Sequence, residues 1–136
     1  GLVLDFTLEE NLAIHAYNFE PFAKNGFLNK VEITKNAERL IEQFDVRSGQ
    51  GAKTVTRSMS GGNQQKVIIS RWLANDPDVL ILDEPTRNFS PLSAPVIRRA
   101  LMDFKGTIIS VSHDRKYLDE VADEIYVLSK EGLRRL

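Results

Sequence analysis

The feature that most restricts the fold is a run of four apolar residues, Val79-Leu80-Ile81-Leu82, closed at both ends by charge and proline. Asp76-Pro77-Asp78 precedes it and Asp83-Glu84-Pro85 follows it. A short, wholly apolar run between such breakers reads as a buried parallel strand. Gly106 introduces a second such run, Thr107–Val111 (TIISV), and Ile125–Leu128 (IYVL) is a third. Between the first two lies a helical pattern with Pro91 near its start and Val96, Ile97, Ala100, Leu101 and Phe104 on its apolar positions. Pro95 fits that helix if it falls in the first turn, where no intrahelical N–H is needed. A second amphipathic stretch carries Tyr117, Leu118 and Val121, and Gly132 turns the chain into its tail. Strand, helix, strand, helix, strand predicts an α/β half with an at least partly parallel sheet.

The preceding residues read as mostly helical. Residues 1–6 (GLVLDF) are a short apolar lead-in, and Thr7 caps a short helix with Glu9 and Glu10 in its first turn. His15 near its end reads as a surface or helix-terminal histidine, since no metal-ligating cluster accompanies it. Residues 18–33, with Pro21, Asn25, Gly26 and Asn29, are expected to be loop with at most one helical turn. Thr34 is expected to cap an amphipathic helix, because Ala37, Leu40, Ile41 and Phe44 recur at helical spacing. Residues 45–57 are loop-like and lead to Ser60-Gly61-Gly62-Asn63-Gln64, where Ser60 is a good N-cap. The helix it opens runs through Val67, Ile68, Trp72 and Leu73 towards Pro77. A division follows: residues 1–75 as a helical part and 76–136 as part of a sheet core.

Composition narrows the function. With 42% hydrophobic residues in 136, the chain can bury a core, and a net charge of −1 gives no footprint for nucleic acid or an anionic membrane. There is no cysteine, hence no disulfide or thiolate metal site. No apolar run approaches the ~18 residues of a membrane span, so no direct membrane insertion is expected.

Open α/β sheets bind ligands beyond the C-terminal ends of their strands. Asp83-Glu84 and Ser112-His113-Asp114 stand at two such ends. An acid at the tip of a strand suits Mg²⁺, a following Glu can deprotonate an attacking water, and a histidine can contact a γ-phosphate. Upstream, the helix opened by Ser60 offers free N–H groups and a positive dipole end to an anion. Each piece alone also has a plain reading: an ordinary capped helix, a solvated strand end, a surface histidine.

Taken together, SMSGGNQQK, VLILDEPT and SVSHD stand in the order and at the spacing of ATP-binding cassette (ABC) ATPases, and the chain resembles that family over nearly its whole length. Residues 1–86 look like the second cassette of sugar and nucleoside importers, whereas residues 85–136 look more like an ABC-F type cassette, whose members commonly act on ribosomes and not in membranes. The resemblance implies a helical subdomain with the signature motif (1–75), followed by the C-terminal part of a P-loop NTPase-like core (76–136). It makes Ser60, Gly61, Gly62, Asn63 and Gln64 the signature loop that caps the γ-phosphate of ATP on an opposite cassette. It makes Asp83 the Walker B carboxylate that holds Mg²⁺, Glu84 the catalytic base and His113 the switch histidine. Asn88-Phe89-Ser90-Pro91 replaces the usual D-loop aspartate pattern.

No G-x-x-x-x-G-K-[ST] occurs, and Gly49-Gln-Gly51-Ala-Lys53-Thr54 has neither its spacing nor a preceding strand. The family's adenine platform and Q-loop would lie before Gly1, so the chain reads as the back half of a cassette with little ATP affinity of its own. The implied function is the ATPase part of an importer at the inner face of the membrane in the cytoplasm, with a second cassette, in the same or a paired chain, and a membrane permease as partners. An ABC-F translation factor with a ribosomal partner and a non-catalytic interaction module are the alternatives.

Overall fold

The computed structural model describes residues 1–136. Its contacts divide the chain into two compact units, Gly1–Pro77 and Asp78–Leu136.

In the first unit, α1 (Leu8–Ala13) opens on a capping box: Thr7 accepts from the Glu10 N–H, and the Glu10 carboxylate accepts from the Thr7 N–H. Residues 18–33 differ from the expected loop. β1 (Ala23–Lys24) and β2 (Phe27–Leu28) pair across Asn25-Gly26, both with positive φ (52° and 81°), as a two-residue hairpin turn requires. The following helix, α2 (Lys30–Gln43), is capped by Asn29 and not by Thr34. Asn29 Oδ1 accepts from the Glu32 N–H, which starts the helix one turn earlier. Thr34 lies inside it and donates its hydroxyl to Glu9 Oε2 at 2.7 Å, tying α2 to α1.

Two 3₁₀ turns, Gly51–Lys53 and Thr56–Ser58, lead into α3 (Gly61–Ala74). The segment before α3 is held to the chain start by backbone bonds, Leu8 N–H to the Thr54 carbonyl and Thr56 N–H to the Phe6 carbonyl. Buried Asn11 fastens the same seam, donating to Thr56 Oγ1 and the Val3 carbonyl and accepting from the Val3 N–H. Leu8, Leu12, Ala37, Leu40, Phe44 and Val67 form the apolar core of this unit.

In the second unit β3 (Val79–Asp83) and β4 (Thr107–Val111) pair in parallel, in register from Val79↔Thr107 to Asp83↔Val111. The crossover is α4 (Ala94–Met102), with Pro95 in its first turn, and α5 (Arg115–Val121) follows β4. A Cβ on Gly106 would stand 2.6 Å from the Asp78 carbonyl, so only glycine lets β4 start beside β3. Leu80, Ile97, Leu101 and Tyr117 are buried.

The expected burial of the first strand holds for one face only. Leu80 is buried, but Ile81 is 80% exposed, as are Ile109 at 58% and Val111 at 61%. Within this chain the sheet has two strands, so alternate residues of β3 and β4 are left uncovered. The third strand also departs from expectation. β5 (Tyr126–Ser129) pairs antiparallel with β6 (Gly132–Arg135) in a separate hairpin, so the tail is itself a strand. No helix is long and apolar enough to cross a membrane.

Candidate functional site

The first group of residues sits at the start of α3. Ser60 is extended (φ −65°, ψ 152°), and its Oγ accepts from the Asn63 N–H and from Asn63 Nδ2 at 3.1 Å. Nothing lies within 4 Å of where a Gly61 Cβ would be, so the fold itself does not require a glycine there. The two amides that follow are turned to the protein's own backbone. Asn63 Oδ1 accepts from the Arg47 N–H at 3.0 Å, and Gln64 Nε2 donates to the Thr56 and Met59 carbonyls, both at 3.1 Å. These contacts brace the loop that delivers Ser60. Sequence reading could not assign them, because the acceptors lie on loop carbonyls that only the fold brings near.

The second group stands at the ends of the two parallel strands. Asp83 is the last residue of β3 and is exposed. Glu84 follows with φ 46°, a left-handed backbone that a non-glycine residue adopts at a cost and that recurs at functional sites. Its N–H donates to the Val111 carbonyl at 2.8 Å, carrying the parallel ladder one step further. After β4 the chain presents His113, whose Nε2 lies 3.7 Å from Glu84 Oε1. The imidazole is 93% exposed and the Glu84 side chain 22%. The structure thus brings Asp83, Glu84 and His113 to one end of one sheet.

Thr86, to which the sequence assigned no role, and Asp114, placed by the sequence only at a strand end, support that end. Thr86 is buried and donates its hydroxyl to Asp114 Oδ2 at 2.7 Å, and Asp114 Oδ1 accepts from the N–H groups of Lys116 and Tyr117 to cap α5. The Thr86 hydroxyl, aided by those N–H groups and by the Arg98 charge, holds the Asp114 carboxyl below its ordinary range. Tyr117 donates its hydroxyl to Ser110 on β4, and burial pushes that phenol up. A Thr two residues after an acidic strand tip, with an Asp just after a histidine, is the only sequence signal for this pair.

No group of three or more His, Cys, Asp and Glu residues gathers to hold a metal. The carboxylates that close β3 are those of Asp83 and Glu84. That fits an ion carried mainly by substrate phosphates and water, and does not fit an all-protein cage.

In the second unit a parallel strand pair carries Asp83-Glu84 and, just past its other strand, His113 at one end, and in the first unit Ser60 and Gly61 open a helix. The model of the family described as "ABC transporter" matches residues 2–87, and the chain belongs to that family. It is 37% identical over 131 residues to the nucleoside import ATP-binding protein NupA of Lactococcus lactis subsp. cremoris strain MG1363, covering 94% of this chain and 26% of NupA. It is 34% identical over the same length to the guanosine import ATP-binding protein NupO of Bacillus subtilis strain 168, covering 94% of this chain and 26% of NupO. Among solved structures, a dimeric post-hydrolysis state of the ATP-binding cassette MJ0796 bound to ADP and Pi superposes with a TM-score of 0.69 and 27% identity. That match covers 86% of this chain and 50% of the cassette. The chain thus spans about a quarter of the length of these curated relatives. Likeness to importers is also not confined to residues 1–86, because alignments of 131 residues run far into the second unit.

Proposed function

We propose that this chain supplies the signature and Walker B parts of an ATP-binding cassette in a nucleoside or sugar importer. The observation that carries the reading is Glu84 Oε1 beside His113 Nε2, 3.7 Å apart at the end of a parallel strand pair. On this reading Glu84 takes the proton of the attacking water, and His113 donates a hydrogen bond to the γ-phosphate. Asp83 would hold Mg²⁺, which offsets phosphate charge when bound. Ser60 Oγ and the free N–H groups opening α3 would face the γ-phosphate of ATP on a paired cassette, with Gly61 leaving the approach open. Asn63 and Gln64 contribute by holding that loop in shape. The partners are a second cassette and a membrane permease, with the protein peripheral to the cytoplasmic face of the membrane. Importer relatives that align over 94% of the chain favour this reading over a ribosomal role.

The test is complementation. The chain is mixed with a separately produced segment carrying the remaining cassette elements, and Mg-ATP hydrolysis is followed. Hydrolysis that appears on mixing and is suppressed by Glu84→Gln, with nucleotide binding retained, supports the proposal. A well-folded complex with no hydrolysis would assign the chain to a non-catalytic interaction role instead.

A further inference from the structure

The loop carrying Glu84 and the loop carrying His113 are joined twice. The backbone joint is the Glu84 N–H to Val111 carbonyl bond at 2.8 Å. The second is made by side chains: Thr86 Oγ1 donates to Asp114 Oδ2 at 2.7 Å. Thr86 follows Glu84 by two residues and is only 7% exposed, and Asp114 directly follows His113. Asp114 is itself immobilised. Its other oxygen caps α5, and its N–H donates to Ser112 Oγ at 3.1 Å. A displacement of the His113 loop away from Glu84 must therefore break the Thr86–Asp114 bond or uncap α5. The imidazole of His113 is 93% exposed and approaches Glu84 only to 3.7 Å, so its own side chain does little to set its place.

We propose that Thr86 is a positioning residue whose hydroxyl, acting through Asp114, fixes the separation of Glu84 and His113. This rests on the reading that those two groups serve one phosphate. A hydroxyl is required there: serine retains the donor, whereas valine keeps the shape and loses it.

The test has two arms. In this chain, ¹⁵N relaxation of the amides of residues 84–86 and 112–114 is compared for wild type, Thr86→Ser and Thr86→Val, with Thr86→Ala as a second variant lacking the hydroxyl. In the chain complemented as above, kcat and KM for Mg-ATP are measured on the same set. The expected result is loosening of both loops in the valine and alanine variants and not in serine. With it comes a roughly tenfold fall in kcat, KM within about twofold, and rescue by serine. Unchanged relaxation in the variants without the hydroxyl would overturn the tie. Loosened loops with undiminished kcat would overturn the positioning role while leaving Glu84 and His113 in theirs. Absence of turnover in the complemented wild type would instead sink the catalytic reading, and the positioning role with it, leaving Thr86 a structural tie.

Discussion

The ammonium of Lys66, on the buried face of α3, is held by Asp45, the residue that follows the C-cap of α2. Lys66 Nζ donates both to the Asp45 carbonyl and to its carboxylate, the latter at 3.1 Å, while the Lys66 side chain is 2% exposed. Asp45 has a left-handed backbone (φ 48°), so a bend between two helices is pinned by one cation. Lys66→Met keeps most of the buried volume and removes the charge-assisted bonds. Because the Asp45 carboxylate is 52% exposed and stays hydrated, the expected loss is about 1–2 kcal/mol and not the full cost of orphaning a buried ion. Urea unfolding reads it directly, and an unshifted midpoint would contradict the assignment.

Thr7 and Glu10 form a reciprocal cap on α1. Thr7→Ala is expected to lower stability by about 1 kcal/mol. Since both residues serve the same pair of bonds, Thr7→Ala with Glu10→Ala should cost clearly less than the sum of the single changes. Strict additivity in thermal melts would show that the box does not act as a unit.

Acid should loosen the second unit through Asp114. Its carboxyl is held below the ordinary value of 3.8 in the folded chain, chiefly by the Thr86 hydroxyl, so the folded state binds that proton less readily than the unfolded state. The stabilisation is complete above the unfolded value and disappears as pH falls through the lower folded one. Asp114→Asn should therefore flatten the pH dependence of stability below about pH 4 and change its slope little at neutral pH. A variant whose acid limb overlays that of wild type would refute this.

ATP alone should bind this chain weakly. Gly51–Lys53, the nearest approach to a phosphate cradle in the sequence, is a 3₁₀ turn and not a loop between strand and helix. Lys53 Nζ is already engaged by Glu9. Titration calorimetry with Mg-ATP should yield no dissociation constant tighter than about millimolar, the range left when one or two polar contacts act without a phosphate cradle. Micromolar affinity would require a nucleotide site elsewhere in the chain.

Local signals were readable in proportion to how short-range their physics is. The caps at Thr7 and Ser60 join a side chain to an N–H three residues on, so sequence alone exposes them. The Asn25-Gly26 turn is an equally local signal, although the strands it joins are only two residues each and carry no alternation of their own. Thr34 and Asn29 are both plausible caps, and the choice between them was settled by tertiary contact, since Thr34 gives its hydroxyl to Glu9.

By itself the sequence determined the strand that ends on Asp83, the glycine-opened start of α3 and the membership of a cassette family, because each is written in neighbouring residues or fixed spacing. Only the tertiary structure decided that Gln64 holds loop carbonyls and that Thr86 reaches Asp114. Those facts depend on which distant backbone the chain folds against. A hydrogen bond selects its partner by distance and angle within about 3 Å, and no one-dimensional pattern carries that information.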